Sequence, residues 1–378
     1  MFGLNPSPIT NEKNRILLLF SDVNASPMLL EIVKNLHRSQ SPFRVAVIGS
    51  AELEICKAMR NLGIPFSLVS KRSKYGFARM LFSVSREILT FRPETILASG
   101  QFATILGMVS AYATRVPRRL FIRHHSNFHT RYGMHLGMWI DRAANSMSTG
   151  IVAVSEVVKN ILINTEGVNS AKVTLIHNGI DLQRFTGSNL RKKNAHSGFS
   201  EDIHVGIVSR FTEWKGVQYS VDAFIQLISK FPNSHLHIIG APADSFALIT
   251  EKLKVLDESA YTLSDWHPDI LGFLRTLDIF VHVPIGPEDE AFGLVYLEAL
   301  ASKTPCIFTL SGVLHELPSP EKYAEIVPFE NSSAIHSSMI NILSGNSPKK
   351  ESMPEKWLEQ YSLDTMAGEY MKLLLGVN

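Results

Sequence analysis

The stretch Pro287–Ile307, PEDEAFGLVYLEALASKTPCI, sets two carboxylates and a glycine where an apolar run, IFVHV, gives way to a helical pattern. A strand–loop–helix turn of this kind offers backbone N–H groups and the positive end of a helix to a diphosphate. Gly293 lets such a ligand approach the backbone, because no side chain stands in the way. Glu290 lies in the loop and Glu298 on the first turns of the helix. Each carboxylate can accept two hydrogen bonds from neighbouring hydroxyls, so the pair suits a hydroxyl-rich ligand. Spacing alone is equally compatible with a helix-surface carboxylate at Glu298 and a favourable helix-start charge at Glu290.

A second concentration of chemistry is RHHSNFHTRYGMH, which holds His124, His125, His129 and His135. Neighbouring residues at a strand end point to opposite sides, and no cysteine or carboxylate accompanies them in ligand spacing. No metal site is therefore expected there. The chain has no G-x-x-x-x-G-K-[ST] loop, no G-x-G-x-x-G after a first strand and no G-x-S-x-G elbow. P-loop hydrolysis, ordinary dinucleotide redox chemistry and serine hydrolysis are thereby disfavoured. A metal-chelating D-x-D is absent as well, Glu288-Asp289-Glu290 being the nearest acidic cluster.

The elements that must hold these residues alternate strand and helix, the pattern of parallel α/β architecture. Strands are expected at 15–20, 44–48, 66–69, 95–98, 119–122, 150–154 and 173–176, with helices such as 51–62 and 77–90 between them. The pattern restarts with strands at 203–208, 235–239, 279–282, 306–309 and 324–327, and amphipathic helices at 215–231 and 293–302. The polar stretch 186–202 has no apolar period and reads as a linker or seam loop. Two Rossmann-like domains facing each other across a cleft follow from this. The uncharged run 95–114 is better explained by a buried strand and a small-residue helix than by a bilayer span.

Taken together, several motifs resemble glycosyltransferase family 4, whose members are retaining enzymes of the GT-B fold. Glu290-Ala-Phe-Gly-Leu-Val-Tyr-Leu-Glu298 is similar to that family's E-x7-E donor motif, and Asn178-Gly179-Ile180-Asp181 to its N-G-[VI]-D. The run from Gly206 to Gly216 resembles G-x-x-x-R-x-x-x-x-K-G, with Arg210 and Lys215 at the basic positions. Ala153-Val-Ser-Glu156 and Arg123-His-His-Ser126 match its A-V-S-[DE] and histidine segments, and the likeness spans about residues 15–343. It implies an acceptor-side domain over 1–185, a seam at 186–202, a nucleotide-sugar domain over 203–360, and a helix in 361–378 packing back on the first domain.

The resemblance also implies roles. Arg210 and Lys215 would neutralise a diphosphate leaving group, a guanidinium fork beside a point-charge ammonium, with no metal and no other cofactor required. Glu298 would hold the ribose and Glu290 the donor sugar, with amides around Phe292, Gly293 and Leu294 on sugar and phosphate. His125 is the expected catalytic histidine and His124 its alternate on the acceptor side. Tyr261 and Trp266, in the loop YTLSDWHPD, are candidates for the wall around the base. Two departures stand out: the family's Gly-Gly turn after the first strand is replaced by Ser21-Asp22-Val23-Asn24, and its later Gly-Gly by Ser311-Gly312. Asp22 and Asn24 are therefore expected to contact the acceptor themselves.

The resemblance thus implies transfer of a sugar from a UDP- or GDP-linked donor to a saccharide or lipid-linked acceptor, in bacterial surface-polysaccharide assembly. A nucleotide-sugar epimerase, or a non-enzymatic protein binding anionic membrane or nucleic acid, are the rivals. Residues 1–180 hold 21 Lys and Arg against 10 Asp and Glu, while the whole chain is only +2. A basic first half points to an anionic partner, and a membrane surface is expected to be met through KRSKYGFAR and TRVPRRLFIR. Opposite charges facing each other across the seam would also account for it. Nucleic acid is not expected, since the arginines are scattered singly without a basic–aromatic stripe. Two cysteines, and no charged-then-apolar leader pattern, suggest a reducing cytoplasmic setting, and the basic half suggests peripheral contact with the inner face of the plasma membrane.

Overall fold

The computed structural model describes residues 14–21, 23–70, 76–127, 129, 133–186 and 202–376. Two all-parallel sheets are formed. The first has strands β1 (Ile16–Ser21), β2 (Phe43–Ile48), β3 (Phe66–Val69), β4 (Thr95–Ser99), β5 (Arg118–Arg123), β6 (Gly150–Ala153) and β7 (Val173–Leu175), in the order β3-β2-β1-β4-β5-β6-β7. The second has β8 (Ile203–Val208), β9 (Ser234–Ile239), β10 (Tyr261–Ser264), β11 (Ile279–His282), β12 (Cys306–Phe308) and β13 (Glu325–Ile326), ordered β10-β9-β8-β11-β12-β13. Helices cover both faces, so central strands carry no polar alternation: every residue of β1, ILLLFS, is buried.

This topology places the site. Strand order reverses between β1 and β4 in one sheet and between β8 and β11 in the other. Open parallel sheets bind ligands beyond the carboxyl ends of the strands at such a switch point. Arg210 follows β8 and Glu290 follows β11, while His124 follows β5.

The two sheets are tied by a double crossing of the backbone. Ile180 N–H donates to Tyr361 O (2.8 Å) and Leu363 N–H to Ile180 O (3.0 Å). A Cβ on Gly179 would lie 2.7 Å from Ser362 O, which explains the glycine after Asn178. Helix Leu363–Leu375 then packs on helix Pro27–Arg38, burying Tyr370 and Leu374 in one core with Leu29, Ile32 and Leu36. Its last carbonyls take the Arg118 guanidinium (Leu374 O, 3.1 Å) and the Asn14 amide (Leu375 O, 3.1 Å), as favoured at a helix C-terminus.

Strand β10 is not among the strands the sequence pattern predicts, which puts Tyr261 in a loop. It is a short edge strand bonded only to β9, with no residue fully buried, so its sequence lacks an apolar signature. The uncharged run 95–114 is β4 followed by helix Gln101–Ala113, and no helix among the described residues is long and apolar enough to cross a membrane. The seam at 186–202 falls, but for its two end residues, outside the described residues.

Candidate active site

A cavity of about 290 Å³ opens between the sheets, lined by Arg210, Lys215, His282 and Glu290, by the backbone from Ala291 to Val295, and by His124 and Asn178 from the first domain. Its basic side is built by the turn after β8. Residues 213–215 form a single 3-10 turn closed by Gly216 at φ +68°, and a Cβ there would meet Val283 O at 1.9 Å. That tight approach to the end of β11 brings Lys215 Nζ onto the Glu290 carboxylate as a buried ion pair. The Arg210 guanidinium is exposed and bonds no described residue.

Glu290 is 8% exposed and its Oε1 also receives His282 Nε2–H at 2.8 Å. Burial opposes its ionisation, but the Lys215 ammonium and the His282 ring outweigh burial and hold its pKa down at about 2. His282 is itself buried, and loss of solvent lowers its pKa against the pull of Glu290. The ring therefore stays neutral and donates Nε2–H. The Glu290 N–H donates to Ser311 Oγ (3.0 Å), and Gly312, at φ +56°, leaves room for the Glu290 Cβ and the Phe292 carbonyl. A fixed anion thus shares the cavity with a cation that bonds no described residue.

Gly293, at φ +84°, opens helix Leu294–Ala301 without any side-chain cap. The N–H groups of such a first turn have no intrahelical acceptor, and Gly293, Leu294 and Val295 line the cavity. Phe292 contributes only backbone: its ring is buried beside His177 and Tyr361. Glu298 does not line this cavity. It is half-buried, its carboxylate bonds no described residue, and burial raises its pKa with Arg184 acting in the opposite sense.

The histidine segment divides differently from expectation. His124, the alternate, lines the cavity and bonds Ser99 Oγ through Nε2 (2.9 Å). The residue is exposed where it lines the cavity; desolvation, then neighbouring His125, lowers its pKa to about 4. His125, the expected catalytic residue, turns away from the cavity. Its Nε2 lies 3.3 Å from Asp141 Oδ2, which also takes His129 Nδ1 at 2.7 Å. Adjacent residues at the end of β5 diverge by the alternation that argued against a shared metal.

A carboxylate does accompany these histidines, contrary to expectation: Asp141, sixteen positions on, is brought in by helix His135–Met147. His125, His129 and Asp141 are the one group among the described residues compact enough to hold a metal. The same Asp141 oxygen lies 3.3 Å from Arg123 Nη2, a buried guanidinium also paired with Glu166. A cation would have to displace that contact, so the cluster is better suited to a hydrogen-bonded scaffold behind His124.

Other assignments move. Asn24 Oδ1 accepts Glu54 N–H (3.3 Å) at the start of helix Glu54–Asn61, so it serves a turn and not the cavity. Asp22 lies outside the described residues. Tyr261 packs on the core of the second domain and Trp266 is 73% exposed; neither lines the cavity. Two further cavity residues are His282, a strand-end residue in no motif, and Asn178, the first residue of the N-G-[VI]-D segment. Ser311 stands where a glycine was expected, and its hydroxyl fixes the Glu290 backbone.

Comparison with known proteins follows the same division. Residues 28–184 match the family model "Glycosyltransferase Family 4" and residues 189–359 match "Glycosyl transferases group 1". The capsular polysaccharide biosynthesis glycosyltransferase CapM of Staphylococcus aureus is 27% identical over 248 residues, 61% of this chain and 62% of CapM. Glycogen synthase of Mycobacterium tuberculosis is 29% identical over 180 residues, 47% of this chain and 40% of that protein. The chain thus aligns with less than two thirds of the length of these relatives, 62% of the first and 40% of the second. The fold is that of Anabaena HepE, solved with UDP and glucose: TM-score 0.79 at 18% identity, covering 96% of this chain and 100% of HepE. Motifs, two adjoining family matches and paired parallel sheets lead to one assignment: the chain belongs to the group 1, family 4 glycosyltransferases of the GT-B fold.

Proposed function

We propose that this glycosyltransferase moves a sugar from a nucleoside diphosphate donor to a hydroxyl acceptor with retention at the anomeric carbon and without a divalent metal. The observation that carries the reading is that the Arg210 guanidinium, which bonds no described residue, lines one cavity with Lys215 and the uncapped start of helix Leu294–Ala301. Guanidinium, ammonium and helix N-terminus together suit two phosphates whose charge grows as the sugar departs. Glu290 Oε2 bonds no described residue and is left to accept a sugar hydroxyl. The bond from the anomeric carbon to the diphosphate breaks, the acceptor oxygen bonds on the same face, and its proton passes to the departing phosphate oxygen. The ligands of HepE and the naming of CapM support a UDP-type donor and a surface polysaccharide.

The acceptor is proposed to be lipid-linked and the first domain to rest on an anionic membrane. Helices Gly76–Phe91, Gln101–Ala113 and His135–Met147 leave Phe77, Phe82, Phe102, Leu136 and Trp139 exposed on that domain. The basic contribution is narrower than expected. Arg118 and Arg119 of TRVPRRLFIR are bonded to backbone carbonyls and Arg123 is buried against Asp141 and Glu166, so they cover the sheet and do not form a surface patch. Lys71, Arg72, Lys74 and Tyr75 lie outside the described residues.

The test is a panel of UDP- and GDP-sugars with EDTA present, read by thermal shift and by NMR of the product anomer. Stabilisation by one nucleoside diphosphate and a product with the donor's own anomeric configuration support the proposal. Activity lost to EDTA and restored by Mn²⁺, or donor epimerised without any acceptor, overturns it.

A further inference from the structure

Glu316 ends the 3-10 turn Gly312–Glu316, the turn that backs the donor loop, yet both its oxygens bond the other domain. Oε1 accepts Glu156 N–H at 2.9 Å and Oε2 meets His177 Nε2 at 2.6 Å. The side chain is only 11% exposed. Glu156 begins helix Glu156–Asn160 just after β6, so its N–H is an unpaired helix-start donor with the positive end of the helix behind it. His177 precedes cavity-lining Asn178, and its ring sits edge-on to Tyr361 at 5.0 Å and 6.2 Å from Phe292.

Within the second domain, Glu316 is rigidly coupled to the donor loop. Val313 N–H donates to Phe292 O (2.8 Å), and Ser311 Oγ holds Glu290 N–H while donating to Gly286 O (2.9 Å). A second stitch runs beside it: Ser155, the cap of the same helix, donates to Ala291 O. Residues 311–316 therefore join the loop that holds the sugar-binding carboxylate to the wall that carries Asn178.

We propose that Glu316 is a positioning residue for the transfer reaction: its carboxylate clasps the Glu156 N–H and His177, and so holds the first domain's His124 and Asn178 over the donor site. It touches no substrate. The role in catalysis rests on the function proposed above, whereas the clasp itself does not. Hydrogen bonds to a buried charge are strong enough to set such a closure, and losing both leaves the helix start and His177 without an acceptor.

The experiment uses the full chain with Glu316→Ala, Glu316→Gln and His177→Ala. Spin labels go at Ser146→Cys and Lys230→Cys, both exposed positions in opposite domains, the native Cys56 and Cys306 being buried. Expected are a longer and broader label separation in Glu316→Ala, UDP affinity within about twofold of the parent, and kcat lower by about 10- to 100-fold. Glu316→Gln, which keeps an acceptor for the Glu156 N–H, should recover most of both. His177→Ala should resemble Glu316→Ala, and the double variant should add little. An unchanged distance distribution overturns the clasp whether or not any sugar is transferred. UDP affinity that falls in step with kcat overturns the positioning role and makes Glu316 part of the donor site.

Discussion

Lys215 and Glu290 come from turns 75 positions apart and meet as an ion pair at the floor of the cleft, with His282 Nε2 2.8 Å from the same carboxylate oxygen. The pair does two things that neither residue does alone. It keeps a buried carboxylate ionised where burial would neutralise it, and it fixes the ammonium on the side where a diphosphate would lie. Arg210, exposed and bonding no described residue, is then the cation left to follow a diphosphate.

Arg210→Ala and Lys215→Ala should therefore fail differently. Arg210→Ala should leave stability unchanged and remove about 2–4 kcal/mol of transition-state stabilisation, seen in kcat/KM. Lys215→Ala also leaves Glu290 buried beside a lone histidine, so a fall in thermal stability should accompany the lost rate. Equal stability losses in the two variants, or parental turnover in either, would contradict this division.

The histidine pair offers a cleaner contrast. His124→Ala removes the ring that reaches the cavity and should lower kcat by about 100-fold, the scale of a lost positioned polar group. His125→Ala removes one of three donors on Asp141 and should chiefly destabilise the scaffold behind it. Melting temperatures and steady-state rates of both variants check the assignment. A larger rate loss at His125 would restore the residue that the sequence favoured.

Acid should weaken the fold through the buried imidazole of His282. Its folded pKa is depressed by burial, so between that value and the ordinary 6.5 the unfolded chain binds more protons. Its contribution is present above pH 6.5 and is lost as pH falls toward the folded value. Glu290 acts lower down: its pKa falls from 4.5 to about 2, so its contribution is present above pH 4.5 and fades below. Urea unfolding from pH 7 to pH 5 should show falling stability, and His282→Gln should flatten the slope by at most about 1.4 kcal/mol per pH unit, one proton's worth. An unchanged slope in the variant would mean that His282 is protonated in the fold.

What the sequence made legible follows a physical line. Buried parallel strands such as ILLLFS announce themselves because both faces are apolar, and glycines at Gly216 and Gly293 because their backbone angles exclude side chains. Edge strand β10 was hidden because half-exposed residues carry no period. Asp141, His282 and Glu316 were hidden for another reason: each acts through a partner between 8 and 139 positions away, and only the folded chain brings them together. His125 was preferred to His124 by motif spacing, but a strand end sends neighbours to opposite sides, and spacing cannot say which side faces the cleft.

The first domain is predicted to bind anionic vesicles through apolar residues more than through the arginines of β5. Leu136 and Trp139 are 76% and 66% exposed on one helix, and Phe77 and Phe82 are 50% and 69% exposed on another. Large rings left in water on a domain with a basic excess suit the headgroup boundary, where each nearby cation adds about 1 kcal/mol. Co-sedimentation with phosphatidylglycerol vesicles should be strong at low salt, weaker at high salt and absent with phosphatidylcholine. Trp139→Ser with Phe82→Ser should reduce binding at every salt concentration, because it removes the part of the affinity that salt does not screen. Reversing Lys71, Arg72 and Lys74 should instead remove the salt-sensitive part. If neither set of substitutions changes vesicle binding, or the parent chain does not bind at low salt, the exposed rings serve some contact other than a membrane.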